Sequence, residues 1–317
     1  MKLQRFALAI AGAGLLAAAV ASVPAAATGQ ADPKHPFAKN VTPNTIKAAG
    51  DPCISDVMSP TAAGMSQETL AMPGRHVQAF QDTAFKFVGS RANTTWYGAV
   101  NASGSQIYYY GLLLQGGNLY RHTTYVRDQG DTFTWSPTFK KVGSGWTSFK
   151  ALATSNFSVA APRHAYLYGL NNNGSLYRYQ IVGAGFRSLG PIPGFKGFKT
   201  MTVISETATY DTLLMTTNAG ALWTAHIPVA AGAKPVMKLI RSSGWSAYES
   251  LVVQGCGTRG GSLLVAVDND TQSGYQFALS KANGAATAIT PYGKIPAVFN
   301  VADHVSVTTH YDQLAGE

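Results

Sequence analysis

Apolar and polar positions change over quickly along most of this chain. From about Gln78 onward, short apolar or aromatic runs alternate with Gly, Asn, Asp and Ser. Phe85 to Val88 is one run and Ile107 to Leu114 another; Leu119 to Val126 follows across a Gly116-Gly117-Asn118 turn. Runs of this length, rich in β-branched and aromatic residues and bounded by turn formers, predict antiparallel hairpins. No downstream stretch carries a capped apolar stripe at helical spacing, so helices are not expected there.

The runs come in sets of four. One set reads Phe149 to Thr154, His164 to Leu170, Ser175 to Tyr179 and Phe186 to Leu189. Between its second and third members lies Asn171-Asn172-Asn173-Gly174, whose residues tolerate the positive φ of tight hairpins. A phrase marks each set: Gly145-Trp146-Thr147-Ser148-Phe149 recurs as Gly194-Phe195-Lys196-Gly197-Phe198 and as Gly244-Trp245-Ser246-Ala247-Tyr248. Extending the grid backward reaches Trp96 and forward reaches Ile295, which gives steps of 50, 49, 50 and 50 residues. A period in this range signals stacked or radially arrayed units. Four short antiparallel strands per unit describe a propeller blade, and a blade needs radial neighbours to cover both of its faces. The large aromatic after each Gly is sized to wedge between adjacent sheets. Four full units occupy residues 96 to 294, while residues 295–317 and 71–95 together make one more. The expectation is an all-β, five-bladed β-propeller of four-stranded antiparallel blades over 71–317, with one blade shared between the N- and C-terminal segments.

The rest of the chain sets the context. Lys2, Arg5, the apolar run Phe6 to Val20 and Ala25-Ala26-Ala27 predict a cleaved signal peptide over 1–27. Residues 28–70 are rich in Ala, Pro, Thr and Gly and predict a linker or N-terminal arm. No other segment suggests a membrane span, so the mature protein is expected to be secreted and not inserted in a membrane. Cys53 and Cys256 are the only cysteines, and in an exported chain they form the natural disulfide pair, tying the arm to the repeat array. The composition has 24 Lys+Arg against 15 Asp+Glu. That excess favours acidic surfaces such as cell-wall polymers, but without a basic run it does not make a nucleic-acid site.

The units resemble a known family. Gly143-Ser144-Gly145-Trp146-Thr147-Ser148-Phe149, Leu167-Tyr168-Gly169-Leu170 and Leu176-Tyr177-Arg178 are similar to the blade phrases of the tachylectin-type five-bladed propeller lectins. That resemblance implies binding of N-acetylated amino sugars between neighbouring blades. The family also carries an Asp and a Trp ahead of the Gly-Trp; here only Asp131 and Trp135, before Gly145 and Trp146, approach that element. The ligand-binding residues expected on this basis are Asp131, Trp135, Gly145, Trp146, Tyr168, Tyr177, Phe195 and Trp245. The partner expected is a carbohydrate, bound by a monomer.

Other chemistries have less behind them. A glycosidase needs facing carboxylates. Asp82, Glu206, Asp211, Glu249 and Asp303 lie in or beside predicted strands, yet none recurs at an equivalent position. His-Glu-x-x-His, paired-Cys spacing, Gly-x-Ser-x-Gly and the phosphate-binding Gly loop are all missing, so no cofactor or metal is expected. A propeller that binds a protein partner through its loops remains open beside the lectin.

Overall fold

The computed structural model describes residues 53–60, 66–73, 75–82, 89–100, 107–128, 133–256, 261–299, 303–309 and 313–317. The expected signal peptide and the run Phe85 to Val88 lie outside the described residues. Among these residues, three sheets have four antiparallel strands each. The first holds β9 (Phe149–Phe157), β10 (His164–Asn171), β11 (Ser175–Val182) and β12 (Gly185–Pro193); the second holds β13 (Phe198–Glu206), β14 (Tyr210–Thr217), β15 (Leu222–Pro228) and β16 (Val236–Arg241). The third holds β17 (Ser250–Gly255), β18 (Ser262–Asp268), β19 (Ser273–Leu279) and β20 (Ile289–Val298). The unit read from residues 149–189 is therefore present strand for strand.

The remaining nine strands form one continuous sheet with a seam. On one side, β4 (Ser90–Asn93) and β5 (Trp96–Val100) both pair with β6 (Ile107–Gln115), which continues into β7 (Asn118–Asp128) and β8 (Phe133–Ser144). On the other, β21 (Val305–Thr309) pairs with β1 (Ser55–Pro60), followed by β2 (Ser66–Met72) and β3 (Arg75–Asp82). The seam is a short parallel contact between β21 and β5, whereas every other pairing in this sheet is antiparallel. Each side of the seam is thus a unit like the other three: unit I is β4 to β8, units II to IV are the separate sheets, and unit V is β21 with β1 to β3. The innermost strands neighbour one another in the cycle β4/β5, β9, β13, β17, β21 and back to β5. One apolar cluster lies at each of the five junctions.

Unit V corrects the expected boundaries. The shared sector is built from residues 55–82 and 305–309, not from 71–95 and 295–317. The N-terminal arm expected over 28–70 therefore gives way to strand at Ser55. Its composition hid this, because small and polar residues carry little apolar alternation even where they pair. The disulfide forms as expected: Cys53 and Cys256 are bonded with Cα atoms 5.3 Å apart, joining the start of unit V to the end of β17 in unit IV.

The recurring phrase is a connector. It leads from the outer strand of one unit to the inner strand of the next. The N–H groups of Phe149, Phe198 and Tyr248 donate to the carbonyls of Trp146, Phe195 and Trp245 at 3.1, 3.3 and 3.4 Å, which closes one tight turn per connector and explains the three-residue spacing of the aromatic pair. The first aromatic then docks backward: the N–H groups of Trp146, Phe195 and Trp245 donate to Gly117, Gly174 and Gly220 in the β-hairpin turns of the preceding units, at 2.9–3.0 Å. A fourth contact of the same kind runs from Phe299 N–H to Gln272 O at 3.0 Å. Phe299, not Ile295, is therefore the next mark. Trp96, the backward extension of the grid, instead lies within inner strand β5. The hairpin turn that receives Phe299 has Gln272 at φ 51°, where units II and III have Gly174 and Gly220 at 85° and 86°.

Candidate functional site

The expected aromatic residues divide by burial. Trp245 and Tyr168 are completely buried, Phe195 is 2% exposed and Trp146 is 7% exposed. Each belongs to an apolar cluster between two units, so none offers a ring face to a ligand. This corrects the sequence expectation for these four positions, and the reason is the closure of the ring itself: a blade face is covered only when the connector aromatic fills the junction. Gly145, at φ 82°, sets the conformation of the connector ahead of Trp146. Asp131 lies outside the described residues. Trp135 is on β8, opposite Val126 of β7.

Tyr177 is different, and it has a companion the sequence reading passed over. Tyr177 and Tyr179 are half-buried neighbours on one face of β11, at the junction of units I and II. Their rings are nearly parallel, 15° apart, with centroids separated by 6.4 Å. From beneath, Phe149 meets Tyr177 edge-on at 5.3 Å and Trp146 meets Tyr179 at 5.1 Å. Ile181, Phe186 and Val142 extend the strip. Polar groups edge it: Asn173 Nδ2 donates to the Tyr177 hydroxyl at 3.2 Å, and Arg187 is hydrogen-bonded to Gln180. Burial raises the Tyr179 phenol above its usual range, so it stays a neutral donor and acceptor.

In the other units at most one of the two corresponding places is open. Counting three and five residues beyond the turn residues Gly117, Gly220 and Gln272 gives Tyr120 and His122, Trp223 and Ala225, Tyr275 and Phe277. His122 and Ala225 are fully buried, and Tyr275 and Phe277 are 3% and 1% exposed. Two adjacent half-open rings therefore occur at this position in unit II and not in units I, III or IV.

A second concavity lies on the ring axis, where the inner strands begin. Its volume is about 230 Å³, and Arg91, Lys150, Lys199, Glu249 and Asp303 line it above an apolar wall of Ala92, Ala151 and Leu152. Lys150 and Lys199 each follow the second aromatic of a connector, so this pairing was visible in the recurring phrase; Arg91 was not. Arg91 donates to the carbonyls of Gly116, Trp146, Thr147 and Phe149, at 3.0–3.4 Å. Lys199 Nζ is 3.0 Å from Glu249 Oε1 and 2.5 Å from Ser246 O. The opposite end of the axis is covered by residues 313–317. Leu314 packs against the clusters of units II–III and III–IV, and its carbonyl accepts from Glu206 N–H at 2.9 Å.

Two clusters of carboxyl groups are buried among the described residues. Asp211, fully buried, accepts from Ser155 Oγ at 2.6 Å and from the Tyr168 hydroxyl at 2.8 Å, while His164 Nε2 lies 2.9 Å from its other oxygen. Ser, His and Asp are thus present together. Both Ser155 and His164 bond to the carboxyl, however, whereas a nucleophilic triad needs the Ser bonded to the His. Glu206, beside this cluster, is buried and pushed up to about 8. Asp56 and Glu68 are hydrogen-bonded to each other, and burial raises both. Carboxyls in such contact are too close to flank a glycosidic bond, which calls for about 5–9.5 Å. Among the described residues no three His, Cys, Asp or Glu side chains are grouped to hold a metal ion, and no helix is long and apolar enough to cross a membrane.

No family model matches the chain, and no curated protein matches its sequence. Among solved structures, a Hadza microbial sialidase, Hz136, superposes with a TM-score of 0.34 at 11% identity, over 71% of this chain. The match spans 56% of the length of that protein.

Proposed function

We propose that this protein is an exported, non-catalytic carbohydrate-binding propeller whose sugar site is the Tyr177–Tyr179 strip between units I and II. The parallel, half-open pair of tyrosine rings carries the reading. An aromatic face takes the apolar side of a pyranose, and a few polar groups at its edge fix the orientation. Asn173, Gln180 and Arg187 supply such groups. The ligand class is an N-acetylated amino sugar or a cell-wall glycan, as the resemblance of the blade phrases implies. The disulfide and the basic balance of the chain suit an extracellular setting among acidic polymers.

Units I, III and IV each lack a pair of half-open rings at the equivalent positions, so this strip is a single site and the expected stoichiometry is one glycan per chain. A glycan array followed by calorimetry tests the reading. Tyr179→Ala is expected to weaken binding by tenfold or more, about 1.4 kcal/mol, in a variant shown to be folded by its circular dichroism and cooperative unfolding. Full affinity in Tyr179→Ala removes the strip from the site. Hydrolysis of a bound glycan overturns the non-catalytic reading, and silence across the array favours a protein partner.

A further inference from the structure

Among the described residues, one cation of the axial concavity has no partner. Three cations stand at the start of three successive inner strands: Arg91 on β4, Lys150 on β9 and Lys199 on β13. Arg91 and Lys199 each reach across to the following connector and are satisfied there, Arg91 at Trp146 and Thr147, Lys199 at Ser246. Lys150, between them, makes no hydrogen bond or ion pair among the described residues. It is nevertheless half-buried, and desolvation pulls its ammonium below the usual lysine range. A partly desolvated cation without a counter-charge is costly to the fold alone and favourable once an anion arrives.

The two acids around it do not fill that role. Glu249 is engaged by Lys199 and also accepts Asn269 N–H at 3.0 Å. Asp303 is pushed up to about 7 by burial, its Oδ2 has no partner, and Asn93 and His304 N–H bond to its other groups. Below neutrality Asp303 carries its proton and does not oppose an anion. The cavity is smaller than sites for drug-sized ligands, which run from about 300 to 1,000 Å³, so it suits one small ring. Its wall of Ala92, Ala151 and Leu152 accepts an apolar body behind the charged group.

We infer that the axial mouth binds a small molecule or terminal sugar residue bearing one oxyanion, a carboxylate or a phosphate ester, seated on Lys150 between Arg91 and Lys199. The inference does not depend on the tyrosine strip. Calorimetry at about pH 6 with sodium glucuronate, glucose 1-phosphate and neutral glucose tests it. The expected result is binding of one or both anions at least about tenfold tighter than glucose, weakened by salt. If one anion binds and the other does not, the inference holds with the class narrowed to that group. Lys150→Gln is expected to lose about tenfold and Lys150→Arg to retain binding, while Tyr179→Ala leaves the anions unaffected. Equal binding of glucose, binding of neither anion, or an unchanged folded Lys150→Gln overturns the inference. Should Lys150→Gln not fold, wild-type anion binding that is insensitive to half-molar salt overturns it as well.

Discussion

At the scale of single residues, burial decides more than residue type. Asp211 is the sharpest case. Its carboxyl comes from unit III, and Ser155, His164 and Tyr168, all of unit II, converge on it. It therefore acts as a polar staple across a buried junction. Removing one side of such a network leaves buried donors unpaired. Asp211→Ala is expected to cost about 3–5 kcal/mol, read as a lower midpoint in denaturant. Arg178 belongs to the same junction. Strand alternation puts it on the face opposite Tyr177, where a solvated arginine is the simple expectation. It is instead 7% exposed and donates to Pro228 O in unit III at 2.6 Å. Nothing in its sequence neighbourhood marks that partner, which lies fifty residues away.

At the scale of elements, the connector is the unit of design. Its Gly holds a positive φ, and its first aromatic docks on the previous hairpin. Its second aromatic enters the next inner strand. Gly194 at φ 100° shows that the constraint is backbone and not space, because a Cβ there meets nothing within 4 Å. Gly194→Ala is expected to destabilise by about 1–2 kcal/mol through the left-handed backbone alone, measured by thermal or denaturant unfolding. Gly169 is constrained in the opposite way: an added Cβ would come within 2.6 Å of the Phe149 ring. The period also drifts: Phe299 follows Trp245 by 54 residues, not 50, with the extra residues divided between the two sides of the hairpin turn at Gln272. A fixed-step grid misses such insertions, since they can lengthen a unit without disturbing the junction.

At the scale of the whole molecule, buried titratable groups set a pH window. Glu206 and Asp303 are pushed up to about 8 and about 7 by burial, and Asp56 is raised in the same direction. An acid whose folded pKa is raised binds its proton more tightly when folded. Its stabilising effect is complete at low pH and is lost as pH rises toward the folded value. His122 and His304 are buried and pulled down to about 3, so their effect is complete above about 6.5 and is lost as pH falls. Between about pH 4.5 and 6.5 the two effects oppose each other; the melting temperature is therefore expected to fall from about pH 6.5 toward 8, where the carboxyl effect is left, and to fall again below about pH 4 as the histidines must charge. Between about pH 6.5 and 8 only the carboxyls titrate, so Glu206→Gln is expected to flatten that part of the profile. A profile that rises from pH 6.5 to 8 would show that these carboxyls are not held as described.

Strand content, hairpin turns, the four-strand unit and the aromatic wedge were all legible in the chain, because each is written in consecutive residues by alternation, turn chemistry and side-chain size. The disulfide was legible because two cysteines leave one pairing. Where the shared sector begins, which tyrosines stay open, what Asp211 and Arg178 hold, and which lysine lacks a partner were settled by the ring. Each of those properties belongs to a junction between units, and a junction brings together residues about fifty positions apart, a distance over which local pattern carries no information about contact.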